Sequence, residues 1–352
     1  MSEPIPVAVI GAGHMGRHHV RLYSQMKSAK LIAVIDANLE KAKAMAEPLG
    51  VRYADHWSPE LGEIRAVNIA VPTVHHLRVS KPLIERGIAV LIEKPLAATA
   101  AEAQEIADLA RKYKVVVQVG HTERFNPAVR AVQRLGLRPK FIEAERISPF
   151  TFRSADVGVV MDMMIHDIDI LLDLIRDEPV RVDAVGVNVL GPHEDIANAR
   201  IVFRGGSVAN LTGSRLATKT ERKLRVFCED AYVSLDYQKK VGIVVTRDKN
   251  LDVIKFARER NLEDLSQLAG ADFGKMVTIE PLVIDAKDAL ETELEAFLDS
   301  VRNKTRPPVS AEDGVAAVRL AEQIVDSIKT HRWDGPASQR VGLEADIVSR
   351  GV

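Results

Sequence analysis

The sequence predicts an α/β protein: a doubly wound parallel sheet first, then an α+β domain on a mostly antiparallel sheet. Three observations carry this. Short continuous apolar runs alternate with helical stretches up to about residue 121, as strands buried on both faces by crossover helices do. A glycine-rich turn follows the first apolar run directly. Beyond residue 121, extended segments succeed one another with few helices between them.

The elements follow in order. Residues 5–10 are an apolar strand, and 15–26 carry helical periodicity. A second strand is expected over 31–35 and a short helix over 39–47. Further apolar runs cover 67–71, 88–92 and 115–119, with helical segments at 75–86 and 99–112 between them. Beyond residue 121 a single long helix is expected over 163–176. Strands are expected over 141–147, 181–190, 196–203, 207–216, 223–227, 232–237 and 242–246. Gly205-Gly206 reads as a hairpin turn, and residues 261–281, without a period, read as a loop. Two amphipathic helices close the chain. Leu290, Leu294, Phe297, Leu298 and Val301 share one face of the first, and Val315, Val318, Ala321, Ile324 and Val325 one face of the second. The expected domains are 1–121 and 122–352.

With 352 residues, 46% hydrophobic and 28% charged, the chain is long and apolar enough for two packed domains. A net charge of -1 gives no basic excess for nucleic acid or an anionic membrane. No apolar stretch approaches the roughly eighteen residues that span a bilayer. The first residues lack a signal-peptide pattern. The single cysteine, Cys228, excludes an internal disulfide and a cysteine zinc site. A cytoplasmic protein is the expectation.

Gly11-Ala12-Gly13-His14-Met15-Gly16 matches G-x-G-x-x-G, between a strand and a helix that open a βαβ unit. Gly11 allows the tight turn, Gly13 lets a pyrophosphate approach the backbone, and Gly16 lets helix pack on strand. The helix N-terminus offers N–H groups to the anion. Asp36, at the end of the second strand, would accept from an adenosine ribose and repel a 2′-phosphate. Ala37 and Asn38 follow without an arginine, so NAD is expected over NADP. His14 and Met15, inside the motif, are further candidate cofactor contacts.

Other strand ends carry unusual residues. Val71-Pro72-Thr73 follows the 67–71 run, with His75 and His76 beyond it. Glu93-Lys94-Pro95 follows the 88–92 run, where the proline presses Lys94 toward an extended conformation. Gln118, Gly120 and His121 end the next run. Ligands of open α/β sheets bind at this edge. A second cluster lies in the long helix, where Asp162 and His166 are four apart and share a face that Asp169 and Asp173 continue. Three readings fit it: a local ion pair, a metal site of two carboxylates and a histidine, or a catalytic histidine oriented by Asp162.

The assembly of Gly11–Gly16, Val71-Pro72-Thr73 with His76, Glu93-Lys94-Pro95 and Asp162-x-x-x-His166 resembles the glucose–fructose oxidoreductase / inositol dehydrogenase (Gfo/Idh/MocA) family, over nearly all of the chain. The resemblance implies a Rossmann domain followed by an open-faced, mostly antiparallel sheet domain. It implies oxidation of a sugar or cyclitol hydroxyl by NAD or NADP, with Lys94 and His166 as the catalytic pair and Asp162 assisting. It also implies a cis Lys94–Pro95 peptide and a homodimer or homotetramer through the open sheet face. Residues 121–127, with Arg124, Asn126 and Pro127, and the stretch around His166 are similar to the branch acting on UDP-linked amino sugars, the UDP-N-acetylglucosamine 3-dehydrogenases of lipid A or surface-glycan synthesis. Arg124, Asn126 and Arg153 are then candidate substrate contacts beside Lys94, Asp162 and His166. Val71, Pro72, Thr73, His76, Glu93, Lys94 and Gln118 join the cofactor contacts. No metal is expected. The competing readings are a dehydrogenase of a free sugar or cyclitol, and a non-catalytic dinucleotide sensor.

Overall fold

The computed structural model describes residues 3–151, 157–190, 192–247, 258 and 277–331. Packing divides the chain into two compact units. One comprises Met1–Phe125 with Lys287–Glu322, the other Asn126–Ala286 with Gln323–Val352.

The first unit is built on a parallel sheet. Its elements run β1 (Ile5–Ile10), α1 (His14–Tyr23), β2 (Ala29–Ile35), α2 (Leu39–Ala46), β3 (Arg52–Ala54), β4 (Ala66–Ile69), α3 (His76–Ile84), β5 (Ala89–Glu93), α4 (Ala100–Tyr113) and β6 (Val117–Gly120). The strand order is β3-β2-β1-β4-β5-β6, all parallel. This is the dinucleotide-binding order, and its direction reverses between β1 and β4. Val7, Val9, Val67, Ile69, Leu91 and Ile92 are wholly buried, as continuous apolar runs in a two-sided sheet should be. Caps set the helix starts. Asn38 accepts from the Lys41 N–H at the start of α2, and Thr99 from the Glu102 N–H at the start of α4. The edge strand β3 has no counterpart among the expected elements, because two of its three residues are exposed and it makes no apolar run.

Helix α7 (Ala289–Asn303) belongs to this unit. The sequence reading places everything after residue 121 in the second domain. Instead Leu294, Phe297, Leu298 and Val301 share a core with Val7, Val9 and Leu91. An amphipathic stripe shows that a helix has a buried face, not which surface buries it. The division between units falls inside the following helix, α8 (Ala311–Thr330).

The second unit contains α5 (Pro127–Arg134), β7 (Phe141–Ile147), α6 (Ile165–Ile175), β8 (Pro179–Val187), β9 (Ile196–Phe203), β10 (Val208–Ser214), β11 (Glu221–Phe227), β12 (Ala231–Asp236), β13 (Val241–Arg247) and β14 (Val277–Pro281). They form one sheet, β14-β13-β12-β11-β7-β10-β9-β8, in which only β7 and β10 pair parallel. The Gly205-Gly206 turn joins β9 to β10, with the Phe203 N–H donating to Ser207 O. Burial alternates along β7, β9 and β10. Ile142, Ala144, Ala209 and Leu211 are buried on the face that packs on α6, whose Ile165, Ile168 and Leu171 are buried too. The other face carries Glu143, Glu145, Asn198, Asn210, Thr212, Lys223 and Arg225.

Two departures have local causes. The expected loop over 261–281 ends in β14, while 261–276 lie outside the described residues. Val277–Pro281 is an edge strand with little burial on either face, so no period marks it. Helix α5 is only eight residues long and starts on a proline. Among the described residues no helix is long and apolar enough to cross a membrane.

Candidate active site

The glycine turn has the shape a pyrophosphate needs. Gly11 sits at φ +105°, and a Cβ there would lie 2.4 Å from Ala70 O. A Cβ on Gly16 would lie 1.7 Å from Gly11 O, so α1 could not start so close to β1 with any other residue. Gly13 is open, with nothing within 4 Å of where a Cβ would stand. It caps α1 without a side-chain hydrogen bond, and no acidic residue occupies the first turn. That helix start suits a bound anion. His14 is exposed and Met15 half-buried at this turn.

Asp36 directly follows β2, beside the turn. Its Oδ2 accepts from the Ala12 N–H at 2.6 Å and its Oδ1 from the Asn38 N–H at 2.8 Å. The carboxylate is therefore fixed by the loop it adjoins, and each oxygen keeps a second lone pair for a ribose hydroxyl.

At the ends of β4 and β5 one histidine lies between two segments. His76 is buried; its Nδ1 lies 3.0 Å from Pro95 O and 3.2 Å from Leu96 O, and its Nε2 lies 3.0 Å from Val71 O. Carbonyls only accept, so the ring supplies the proton. Burial lowers the His76 pKa, although these carbonyls and the Glu93 charge pull the other way. His76 thus lies between the Val71-Pro72-Thr73 turn and the Lys94-Pro95 turn, whose peptide is cis, and the single N–H of its neutral ring donates to one of them. Pro72 is exposed, and Val71, Thr73 and Lys94 are half-buried.

Glu93 faces inward. Its Oε2 accepts from the Lys94 N–H at 3.3 Å, and its Oε1 lies 3.1 Å from Nε2 of His19 on α1. His19 Nδ1 is 3.2 Å from Asn68 Nδ2, and the Tyr23 hydroxyl donates to Asn68 Oδ1 at 2.7 Å. His19 and Asn68 are wholly buried, and Tyr23 nearly so. The sequence reading missed all three partners. A signal existed in Asn68, a lone polar residue inside an apolar strand, which must be bonded if buried.

In the second unit Asp162 lies in a π-helical turn, Val160–Met164, that leads into α6, and His166 is the second residue of α6. Single π-turns recur at functional sites, and no periodicity announced this one. Both side chains are half-buried. Two buried ion pairs fix their surroundings. Asp167 accepts from Arg146 Nε at 2.8 Å, from Arg146 Nη2 at 3.0 Å and from the Tyr237 hydroxyl at 2.6 Å, which pins the start of α6 to β7. Asp195 accepts from Arg215 Nε at 2.7 Å while Arg215 Nη1 donates to Val157 O at 2.6 Å, just before the π-turn. Glu194 accepts from the Val160 N–H.

Two of the expected contacts also make bonds within the fold. Gln118 is wholly buried in β6, and its amide donates to Glu293 O on α7 at 3.1 Å. Asn126 caps α5, accepting from the Ala128 N–H at 3.0 Å. Arg124 is buried, not the surface residue of an exposed loop. Arg153 lies outside the described residues. Asp173 accepts from Gln133. Among the described residues no three His, Cys, Asp or Glu side chains converge as a metal site requires.

Comparison with known proteins covers both units. The model of the Gfo/Idh/MocA oxidoreductase family, NAD-binding Rossmann fold, matches residues 5–121, and that of the family's C-terminal alpha/beta domain matches 150–334. The UDP-N-acetylglucosamine 3-dehydrogenase of Acidithiobacillus ferrooxidans is 34% identical over 313 residues, 89% of this chain and 92% of that protein. A solved structure of that enzyme superposes with a TM-score of 0.81 at 32% identity, covering 92% of this chain and 97% of the other. The inositol 2-dehydrogenase of Rhizobium meliloti is 25% identical, over 92% of this chain and 97% of that protein.

Proposed function

The chain belongs to the Gfo/Idh/MocA oxidoreductase family, and on that premise we propose that it oxidises the 3-hydroxyl of UDP-N-acetylglucosamine to the 3-keto sugar with NAD. Oxidation of a CH–OH group with a nicotinamide dinucleotide is the activity of the class. The observation that carries the finer reading is the 34% identity to a UDP-N-acetylglucosamine 3-dehydrogenase across 89% of the chain. The product is an activated ketone that a transaminase would consume. A cytoplasmic homodimer or homotetramer, joined through the polar open face of the second-unit sheet, completes the reading.

A nicotinamide dinucleotide, when bound, would supply the hydride acceptor. The chain binds, orients and moves the proton. The backbone of Gly11, Gly13 and Gly16, with His14 and Met15, holds the pyrophosphate at the start of α1. Val71, Pro72 and Thr73 would border the nicotinamide end of the dinucleotide. Asp36 accepts from the ribose and repels a 2′-phosphate, which favours NAD over NADP. The Lys94 amine would take the hydroxyl proton of the substrate, and His166, oriented by Asp162, would hold or relay it. Arg124 is the candidate for the diphosphate, with Arg153 and Asn126 as further substrate contacts.

A panel of UDP-sugars and free sugars with NAD, followed by the absorbance of reduced nicotinamide, tests this. Lys94→Ala and His166→Ala are expected to lower kcat by about 10²–10⁴-fold with NAD affinity kept. Near-normal turnover in both variants sinks the assignment. The likeness to inositol 2-dehydrogenase favours a second reading, oxidation of a free cyclitol or sugar. It gains if a free sugar or inositol is turned over as well as the UDP conjugate. NAD binding without turnover across the panel would leave a dinucleotide sensor.

A further inference from the structure

Four polar side chains of the first unit form one buried chain that ends beside Lys94: Tyr23, Asn68, His19 and Glu93. Their geometry fixes the protons. Burial raises the Tyr23 phenol well above its usual pKa; the bond to Asn68 opposes this, and Glu293 and Glu295 add to it, so the hydroxyl keeps its proton and donates. It donates to Asn68 Oδ1, which leaves Asn68 Nδ2 toward His19 Nδ1. An amide nitrogen only donates, so Nδ1 must accept, and the proton of a neutral His19 stands on Nε2. That N–H lies 3.1 Å from Glu93 Oε1, a carboxylate oxygen.

This last link is close but not aligned as a full hydrogen bond, and neither atom has another partner among the described residues. The opposite oxygen of Glu93 holds the Lys94 N–H. Gly120 makes room for Glu93 on β6, since a Cβ there would stand 3.0 Å from the Glu93 Cα and 3.1 Å from its Oε2. A merely satisfied polar core would close on itself. This chain instead terminates on the residue that adjoins Lys94, and buried polar groups cost stability unless bonded. Resting on the oxidoreductase reading, we propose that His19, set by Asn68 and Tyr23, is a positioning residue whose Nε2–H holds the Glu93 carboxylate and, through it, the backbone of Lys94.

The test uses the full-length protein. His19→Phe keeps the ring volume and removes the donor; kcat with UDP-N-acetylglucosamine and NAD is expected to fall about ten- to a hundredfold, with KM for NAD held within about twofold. His19→Gln, whose amide N–H reaches toward Glu93, is expected to recover most of the loss. A purely structural role would lower the melting temperature of both variants and leave kcat per folded molecule unchanged, which overturns the proposal. Histidine ¹⁵N NMR gives a second measurement that needs no substrate. Wild type should show His19 neutral with its proton on Nε2, and Asn68→Asp should move a proton to Nδ1. A wild-type His19 protonated on Nδ1 alone also overturns the proposal. A wild type inactive on every sugar would refute the substrate reading only, since the tautomer tests the chain by itself.

Discussion

Replacing Asp36 with alanine removes two loop anchors and one charge together. The anchors are the acceptors for the Ala12 and Asn38 N–H groups, at 2.6 and 2.8 Å. A hydrogen bond to a charged group contributes about 1.5–3 kcal/mol when shielded. Asp36 is only half-buried, so water competes and about 1 kcal/mol for each anchor is the fair figure. The cofactor-free protein should then lose about 2 kcal/mol, or roughly 4–8 °C of melting temperature in a domain of this size. Loss of the bond to ribose hydroxyls should weaken NAD by about 1–2 kcal/mol, roughly five- to thirtyfold. For NADP the sign reverses. A carboxylate about 5 Å from a phosphate charge is opposed by about 1–3 kcal/mol, between the limits of bulk water and a protein surface. Removing it offsets the lost hydroxyl bond. The NAD/NADP preference should therefore fall by about a hundredfold, the midrange of these terms. Calorimetric titration with both dinucleotides measures it, and repetition at high salt separates the screened charge effect from the rest. Asp36→Asn keeps an acceptor oxygen and drops the charge, so it should lose preference while retaining most of the loop stability. A preference unchanged within about twofold in both folded variants would refute the placement of the ribose at Asp36.

Three further outcomes follow from contacts. Gly16→Ala puts a methyl 1.7 Å from Gly11 O; overpacking of about 1–3 kcal/mol should displace the turn and abolish tight dinucleotide binding, and calorimetry showing wild-type affinity would refute it. Asp167→Asn weakens the partner of a buried Arg146 and should cost about 3–5 kcal/mol in urea unfolding; a loss under about 1 kcal/mol would show the pair to be dispensable. For Asp195, burial raises the pKa, but the Leu190 and Val189 N–H groups and Arg215 outweigh it and hold the carboxyl below its ordinary value. A depressed pKa means stability that is present above the unfolded value of about 3.9 and lost as pH falls below it. Urea unfolding from pH 7 to 3 should therefore show a shallower acid slope in Asp195→Asn, and an unchanged slope would count against the assignment.

The parallel sheet was legible because its rule is local. A run such as Ala89–Glu93, with four apolar residues and then a charged one, encodes both a buried strand and its functional end. Glycines at 11 and 16 are likewise readable, since the space they leave is a property of the turn itself. What escaped was non-local. Nothing in the sequence near His19 says that Asn68, far along the chain, takes its Nδ1. Nothing near Arg146 says that Asp167 and Tyr237 will meet it. The stripe on α7 gave a buried face but not the first-unit core that it fills. Gln118 shows a related limit: the sequence put it in a strand, and its bond to Glu293 on the distant α7 is not written near it.

The two strand-end carboxylates share one device. Asp36 accepts from the N–H of Ala12 in the glycine turn, and Glu93 from the N–H of Lys94 in the proline turn. Each therefore holds a loop that carries a proposed function, before any ligand arrives. Such anchoring matters because reacting groups must be held within about half an ångström of their working places, and loops are the least rigid segments of a fold. The two anchors differ in what stands behind them. Asp36 is half-exposed, so water can replace some of what it provides. Glu93 is buried, and its second oxygen lies 3.1 Å from His19 Nε2. A disturbance at the Asp36 turn should thus be graded, weakening cofactor binding in proportion to the bonds lost. A disturbance behind Glu93 takes the His19 N–H from its Oε1 and leaves the Lys94 N–H to hold it alone, so its effect should reach Lys94 as misplacement and appear in kcat before it appears in binding.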